Sequence, residues 1–422
     1  MAADNRAPFG ALGGKTPEAV FGALKTPCYV IDEEALLDNC RILSGVAERT
    51  GCGMLLAQKA FSNFDFYPLM APFLAGTEAS GLYEARLGAE EMPGKEVHVF
   101  CGAYRDDEFE ELLRYADHIV FNSPAQLEKF GKRAKDAGKE TGIRINPECS
   151  TQEGHAVYDP CAPGSRLGVT RAQWDREMTP ELTALLDGIH FHTLCEQDAD
   201  DLQRTLSAVE ARFGDVLKRP HIKWLNCGGG HHITRPGYDR ELLEGCLTDL
   251  RDRYGLKLYL EPGEAWALNA GFLASRVLDV VRNGETVTAV LDTSAACHMP
   301  DVLEMPYTPP LYGAEAAEKE AAGQKTGTVT MRLAGPTCLA GDVIGDYRFE
   351  APLKEGDLLL FGDMAIYTTC KNNTFNGMPL PPIVKRGADG SMELLKAFDY
   401  GDFRNRLGGG KAGPAGQSGT ES

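Results

Sequence analysis

Long apolar runs are missing from this chain. None of its 422 residues sits in a stretch approaching the roughly 18 apolar residues of a membrane span. The opening segment, MAADNRAPFGALGGK, lacks the apolar core of a secretory leader. The 12 cysteines are scattered singly with no CxxC pair. Without a leader, that distribution argues against a secreted disulfide framework and for a reduced, cytoplasmic protein with mostly free thiols. Positive charge is also scarce. Against 61 Asp and Glu stand 43 Lys and Arg, a formal charge of −18. A phosphate-binding groove needs clustered cations, so nucleic acid is excluded as a partner, and an anionic membrane surface is disfavoured for the same reason. A cationic small substrate suits such a charge, although solubility alone also explains it. No internal repeat is evident.

What is present is alternation. Short apolar runs at Met54–Ala57, Gly76–Ala79, Val97–Phe100, His118–Phe121, Gly142–Ile145, Gly188–Phe191, Lys223–Asn226 and Lys257–Leu260 read as eight strands. Amphipathic stretches such as Leu82–Glu91, Asp106–Tyr115, Pro124–Ala137, Asp198–Ala211 and Asp239–Tyr254 separate most of them. Eight alternating βα units predict a closed (β/α)8 TIM barrel over residues 33–272. A doubly wound open sheet competes, but it usually carries a phosphate loop after its first strand, which this chain lacks. Thr26–Ile31 and the runs Val277–Val280, Thr286–Leu291, Thr328–Ala334, Asp357–Phe361 and Pro382–Lys385 predict a second, mainly antiparallel β domain over 26–32 and 273–407. Residues 1–25 are expected to be mostly flexible and the Gly-rich tail 408–422 disordered. Ala314–Thr326 reads as a charged loop or short surface helix.

In such a barrel the C-terminal strand ends line the active site. Lys59 follows the first strand, Glu78 ends the second, Arg144 the fifth and His192 the sixth. Gly228, Gly229 and Gly230 follow the seventh, and Glu261 the eighth. Each has an ordinary explanation: a snorkelling lysine, a turn that uses glycine anyway, an acid paired with a neighbouring cation. Each also has a chemical one. A desolvated lysine can form a Schiff base. Glycines before a helix let backbone N–H groups approach a phosphate. A buried acid can hold a proton on a ring nitrogen. Together these are the demands of pyridoxal phosphate. His190-x-His192 and His231-His232 raise zinc as a competitor, as in barrel hydrolases. A histidine flat over a cofactor ring, or a satisfied core histidine, fits better, and no metal is expected.

TPCYVID, AQKAF, EASGLYEA, HFHTLCE, NCGGGHH, LEPGEA, CHMPDVLEMPY, GPTCLAGD and DMAIYT follow one another along the chain. With them the sequence resembles the fold-type III pyridoxal-phosphate decarboxylases, related to alanine racemase and ornithine decarboxylase. Within these it is similar to the carboxynorspermidine (carboxyspermidine) decarboxylases. The resemblance covers about Thr26 to Arg404. It implies that Lys59 holds pyridoxal 5'-phosphate, that Glu78 sits near it, and that Arg144 approaches the ring hydroxyl. It further implies that His192 stacks on the ring, that Gly228–Gly230 and Tyr367 hold the phosphate, and that Glu261 pairs with the ring nitrogen. Cys338 would protonate the carbanion from across a homodimer interface. Ornithine- and arginine-type relatives carry Asp after that cysteine and diaminopimelate-type relatives Glu-Ser; here Leu339 and Ala340 follow. Relatives usually have Arg after EPG, where this chain has Glu264. A polycationic substrate would suit extra acids, and Glu264, Asp292, Asp301, Glu304 and Asp342 are candidates, each equally able to be structural. The implied activity is decarboxylation of carboxynorspermidine or carboxyspermidine. Another basic amino acid as substrate, and a non-catalytic regulator on the same fold, are the alternatives.

Overall fold

The computed structural model describes residues 8–152, 159–317 and 328–409. The chain forms two compact units. The first contains Asp32–Gly271 and returns for Ala365–Cys370; the second contains Gly14–Ile31, Phe272–Met364 and the chain from Lys371 on.

Strand β1 (Cys28–Asp32) precedes the barrel strands β2 (Gly53–Ala57), β3 (Gly76–Ala79), β4 (Glu96–Phe100) and β5 (His118–Phe121). Then come β6 (Glu140–Arg144), β7 (Gly188–His190), β8 (Trp224–Asn226) and β9 (Lys257–Leu260). Strands β2 to β9 pair in parallel in chain order, and β9 closes on β2, as expected of the TIM barrel. These strands are buried on both faces, which is why they read as continuous apolar runs rather than alternating ones. Inside, large and small residues interlock. A methyl group on Gly188 would come within 2.0 Å of the Trp224 indole, and one on Gly142 within 2.4 Å. Trp224 fills the space those glycines leave and packs with Leu55, Val120 and Tyr259. Asp187 ties the N-terminal strand ends together, accepting from Lys135 and Lys223 and from the Thr141 N–H. The helix Ala199–Leu217 opens on a capping box of Asp198 and Asp201. It runs past the expected Ala211 because Phe213, Val216 and Leu217 continue its buried stripe.

The second unit is built on β10 (Gly271–Asn283), β11 (Thr286–Leu291), β12 (Glu315–Ala316), β13 (Val329–Ala334), β14 (Val343–Phe349), β15 (Leu358–Gly362), β16 (Ile383–Arg386) and β17 (Met392–Lys396). Among the described residues they form a sheet in the order β12-β14-β13-β11-β10-β1-β16-β17, with β15 also on β10. Pairing is mostly antiparallel, but β11 and β13 run parallel. The chain between them crosses over through the short helices Ala295–His298 and Asp301–Glu304, in a region expected to be all strand. Tyr29, Leu273, Leu291, Met331, Tyr347 and Phe361 belong to its core.

Within the stretch expected to be mostly flexible, Pro17–Phe21 forms a helix capped by Thr16, and Phe21 is fully buried against Phe272. Of the segment Ala314–Thr326, Glu315 and Ala316 form β12 and residues 318–326 lie outside the described residues. So does the tail beyond Gly409.

Candidate active site

The C-terminal rim of the barrel carries the expected constellation within one unit. Lys59 lies two residues past β2 and is half-buried. The preceding Gln58 is fully buried: its N–H donates to the Glu78 carbonyl (3.1 Å), its amide to the Glu84 carbonyl (2.8 Å), and it accepts from the Tyr67 hydroxyl (3.0 Å). Glu78 ends toward the same rim on β3. It is buried, and its Oε2 has no hydrogen-bond partner among the described residues. Burial raises its pKa, and the nearby Glu261 carboxylate adds to the shift, opposed by the Lys59 charge.

Glu261, one residue past β9, has the opposite habit. Its Oε1 accepts from the Asn226 amide (2.6 Å) and its Oε2 from His190 Nε2 (3.2 Å). Burial alone would raise its pKa, but His190 and Lys59 hold it below the usual carboxylate range. Burial lowers the pKa of His190, opposed by Glu261, and its Nε2–H is the donor to that carboxylate. Two buried carboxyls on one rim thus have their pKa values pushed in opposite directions, Glu78 up and Glu261 down, the pattern that divides acid and base duties.

Arg144 ends β6, buried, with Nη2 donating to the His192 carbonyl (2.8 Å) and its guanidinium 4.6 Å from the Phe100 ring centroid. Burial lowers it to about 10, which leaves it charged at neutral pH. His192 lies two residues beyond the end of β7. Its Nδ1 accepts from the Gly229 N–H (2.8 Å). A backbone amide can only donate, so the neutral ring carries its proton on Nε2. Burial, and then the Lys59 charge, push its pKa well down.

The glycine turn is required by close approach. Gly228 (φ 72°) and Gly230 (φ 83°) adopt left-handed backbone, and an added methyl would meet Phe191 O at 2.4 Å and Leu194 O at 2.0 Å. The Gly228 N–H donates to Asn226 Oδ1 (2.9 Å) and that of Gly229 to His192. Of the three, only the Gly230 N–H has no acceptor among the described residues. Glu264, at the start of the short helix Glu264–Ala267, lies 2.8 Å from His232 Nε2. Tyr367 sits in left-handed backbone (φ 48°) and donates its N–H to the Ala60 carbonyl (2.9 Å).

The remaining expected residues belong to the second unit. Cys338 is exposed in the loop between β13 and β14, its N–H donating to Asn376 Oδ1 (2.9 Å). Asp342 anchors that loop. It accepts from Ser294 Oγ (2.9 Å), Thr337 Oγ1 (2.7 Å) and the Ala296 N–H (3.2 Å). Asp292 accepts from Thr26, Ser275 and the Arg276 N–H. Both acids thus have each oxygen engaged inside their own unit. Asp301 and Glu304 share the ammonium of Lys371, at 2.6 Å for Glu304. Sequence reasoning missed Asn226, His190 as the partner of Glu261, Gln58 and His232. An Asn two residues before a triple glycine at a strand end was the one available signal.

The zinc alternative does not fit these positions. His190 and His192 are committed to Glu261 and to Gly229. One group of ligand-type side chains, Glu96, His98 and His118, lies among the described residues at the opposite strand ends. Its two imidazoles stack 3.9 Å apart and within 9° of parallel, so their in-plane lone pairs cannot converge on one ion. Lys257 already pairs with Glu96 (3.0 Å).

A parallel barrel with a lysine, two carboxyls pushed in opposite directions, a fixed histidine and a glycine turn on its rim, joined to a sheet domain, defines a cofactor-dependent enzyme class. Residues 28–365 match the family model described as pyridoxal-dependent decarboxylase, C-terminal sheet domain, and the chain belongs to this family of carboxy-lyases. It is 42% identical over 387 residues (92% of this chain, 96% of the relative) to carboxyaminopropylagmatine decarboxylase of Synechocystis. It is 38% identical (91% and 98%) to carboxynorspermidine/carboxyspermidine decarboxylase of Campylobacter jejuni. The crystal structure of C. jejuni carboxynorspermidine decarboxylase complexed with norspermidine superposes with a TM-score of 0.82 at 37% identity, covering 91% of this chain and all of that one.

Proposed function

We propose that this enzyme decarboxylates a carboxylated polyamine of the carboxynorspermidine/carboxyspermidine class, releasing norspermidine or spermidine. The observation that carries this is full-length similarity to relatives of that activity, 36–38% identical over about nine-tenths of the chain. Leu339 after Cys338 supports it, because no acid stands there to grip the ammonium of a short diamine. The 42% identity to the Synechocystis relative favours a second substrate, carboxyaminopropylagmatine, whose far end is a guanidinium.

Pyridoxal phosphate, when bound, supplies an electron sink for the pair left behind as carbon dioxide departs. The residues on the barrel rim fit it: an orphaned buried carboxyl oxygen on Glu78, a turn that admits no Cβ, and an amine beside them. Lys59 would hold the cofactor covalently. The ionised Glu261 would keep a proton on the ring nitrogen, its charge maintained by Asn226 and His190. Arg144, fixed by the His192 carbonyl, would donate to the ring hydroxyl, and His192 would lie on the ring face. Gly230 and Tyr367 would hold the phosphate; the Gly228 and Gly229 N–H groups, already given to Asn226 and His192, would shape the turn instead. Glu78, protonated, would offer an O–H to a polar neighbour. Cys338 or Lys59 would return a proton to the substrate carbon. For the distal cations, Asp301 with Glu304 is the best-matched pair, since it already binds an ammonium. Glu264 is the other acid retained; Asp292 and Asp342 are set aside because their oxygens are engaged.

The same reading places the enzyme in the cytoplasm, consistent with twelve free thiols, and makes it a homodimer in which Cys338 serves the partner's site. A monomer in solution with full turnover would refute the last point. The cofactor claim is tested by absorbance. Wild-type protein reconstituted with pyridoxal phosphate should show a long-wavelength band that borohydride bleaches, and Lys59→Ala should lack it. Absence of the band from wild type would reject Lys59 as the attachment point.

A further inference from the structure

The segment Ala365–Cys370 belongs to the barrel unit although almost all its neighbours in sequence belong to the other. Three side-by-side hydrogen bonds stitch it to the turn that carries Lys59. The Tyr367 N–H donates to the Ala60 carbonyl (2.9 Å). The Thr369 hydroxyl donates to Asn63 Oδ1 (2.8 Å). The Cys370 thiol donates to the carbonyl of Lys59 itself (3.0 Å), with the Ala60 carbonyl at 3.6 Å. On its barrel side the same turn is held by Gln58, whose amide is clamped between Glu84 and Tyr67. The Lys59 backbone is therefore gripped from two directions.

This grip matters because a lysine side chain has four rotatable bonds and little intrinsic direction. An amine that must meet one carbon of a cofactor is aimed first by where its backbone starts. Tyr367, moreover, holds a left-handed φ of 48°. A tyrosine keeps that conformation only where its surroundings enforce it. The Tyr367 N–H and, two and three residues on, the Thr369 hydroxyl and the Cys370 thiol all bond to the Lys59–Asn63 turn.

We propose that Thr369 and Cys370 are positioning residues. They clasp the Lys59 turn to the Tyr367 strap, so that the attachment amine and the expected phosphate contact move as one body. This rests on Lys59 being the cofactor's attachment point, and the test separates the two claims. The holoenzymes to compare are wild type, Thr369→Val, which keeps the shape and removes the donor, its rescue Thr369→Ser, and the pair Cys370→Ala and Cys370→Ser. The readouts are the pH midpoint of the borohydride-sensitive band, the rate of cofactor loss into buffer, and kcat separately from KM. Thr369→Val and Cys370→Ala should shift the midpoint, lose cofactor about 3–10-fold faster and lower kcat by a similar factor, the range for removing one hydrogen bond. KM should change little, and both serine variants should recover. Variants that keep the wild-type midpoint and retention overturn the proposal, even if they melt at lower temperature, because such a loss is merely structural. If wild type itself shows no bleachable band, the Lys59 assignment fails and the clasp falls with it; a normal wild-type band with unmoved variants refutes the clasp alone.

Discussion

Glu78 and Glu261 share one rim and are pushed in opposite directions, Glu78 up by burial and Glu261 down by His190 and Lys59, and the Glu78 shift is measurable without substrate. The fold keeps Glu78 protonated, whereas the unfolded chain releases that proton from about pH 4 upward. Its raised pKa therefore contributes stability that is complete below the ordinary carboxyl range and is lost as pH rises toward the raised value. In cofactor-free protein the melting temperature of wild type should fall over that window, and Glu78→Gln should fall less steeply. Parallel curves for the two proteins would contradict the assignment. At this scale the sequence revealed the residues facing the rim, because Lys59, Glu78, Arg144, His192 and Glu261 each sit where an apolar run ends. It did not reveal what holds them. Asn226, Gln58 and His190 act through hydrogen bonds between residues far apart in the chain, and pairing of that kind leaves no local pattern. Nor could it tell acids filled by hydroxyls and backbone amides from one paired with an ammonium. Asp292 and Asp342 look the same in sequence as Asp301 but are filled by hydroxyls and amides of their own unit.

The barrel strands show why elements were legible where both faces are buried and less so elsewhere. Continuous runs such as HIVF and KLYL announce parallel strands. In β14, VIGDYRF breaks the pattern with Gly345 and Asp346, and its polar face is supported from β13 by the Arg332–Asp346 pair. β17 is half-exposed along its length, and the helix Tyr400–Leu407 buries no residue, so neither has a hydrophobic period to read. The helix did carry a local signal, the Asp399 and Asp402 capping box, which periodicity does not register. Packing between elements yields a prediction of its own. A methyl at Gly188 collides with the Trp224 ring, which is itself fully buried. Gly188→Ala should destabilise the protein by about 1–3 kcal/mol, the usual cost of overpacking, in chemical denaturation. A variant as stable as wild type would mean that Trp224 can rotate out of its place.

For the whole molecule, the excess of acid over base disfavours a nucleic-acid groove and suits a cationic substrate, with solubility the readier explanation. A few of the acids have an internal use: Asp187 binds two lysines at the N-terminal strand ends, and Asp292 and Asp342 brace the sheet domain. Asp301 and Glu304 pair with Lys371, and Glu264 with His232. The division into barrel and sheet domain was legible because alternation gives way to turn-rich strands near residue 272. The return of Ala365–Cys370 to the barrel was not, since only three-dimensional packing assigns it. The most direct measurement of the central claim is carbon dioxide release from a panel of carboxynorspermidine, carboxyspermidine, carboxyaminopropylagmatine, ornithine and diaminopimelate. The carboxylated polyamines should be turned over, with release abolished in Lys59→Ala and lowered about 10²–10⁴-fold in Cys338→Ala, the scale for losing a positioned acid. Preferential release from ornithine or diaminopimelate, or undiminished release by Lys59→Ala, would contradict it.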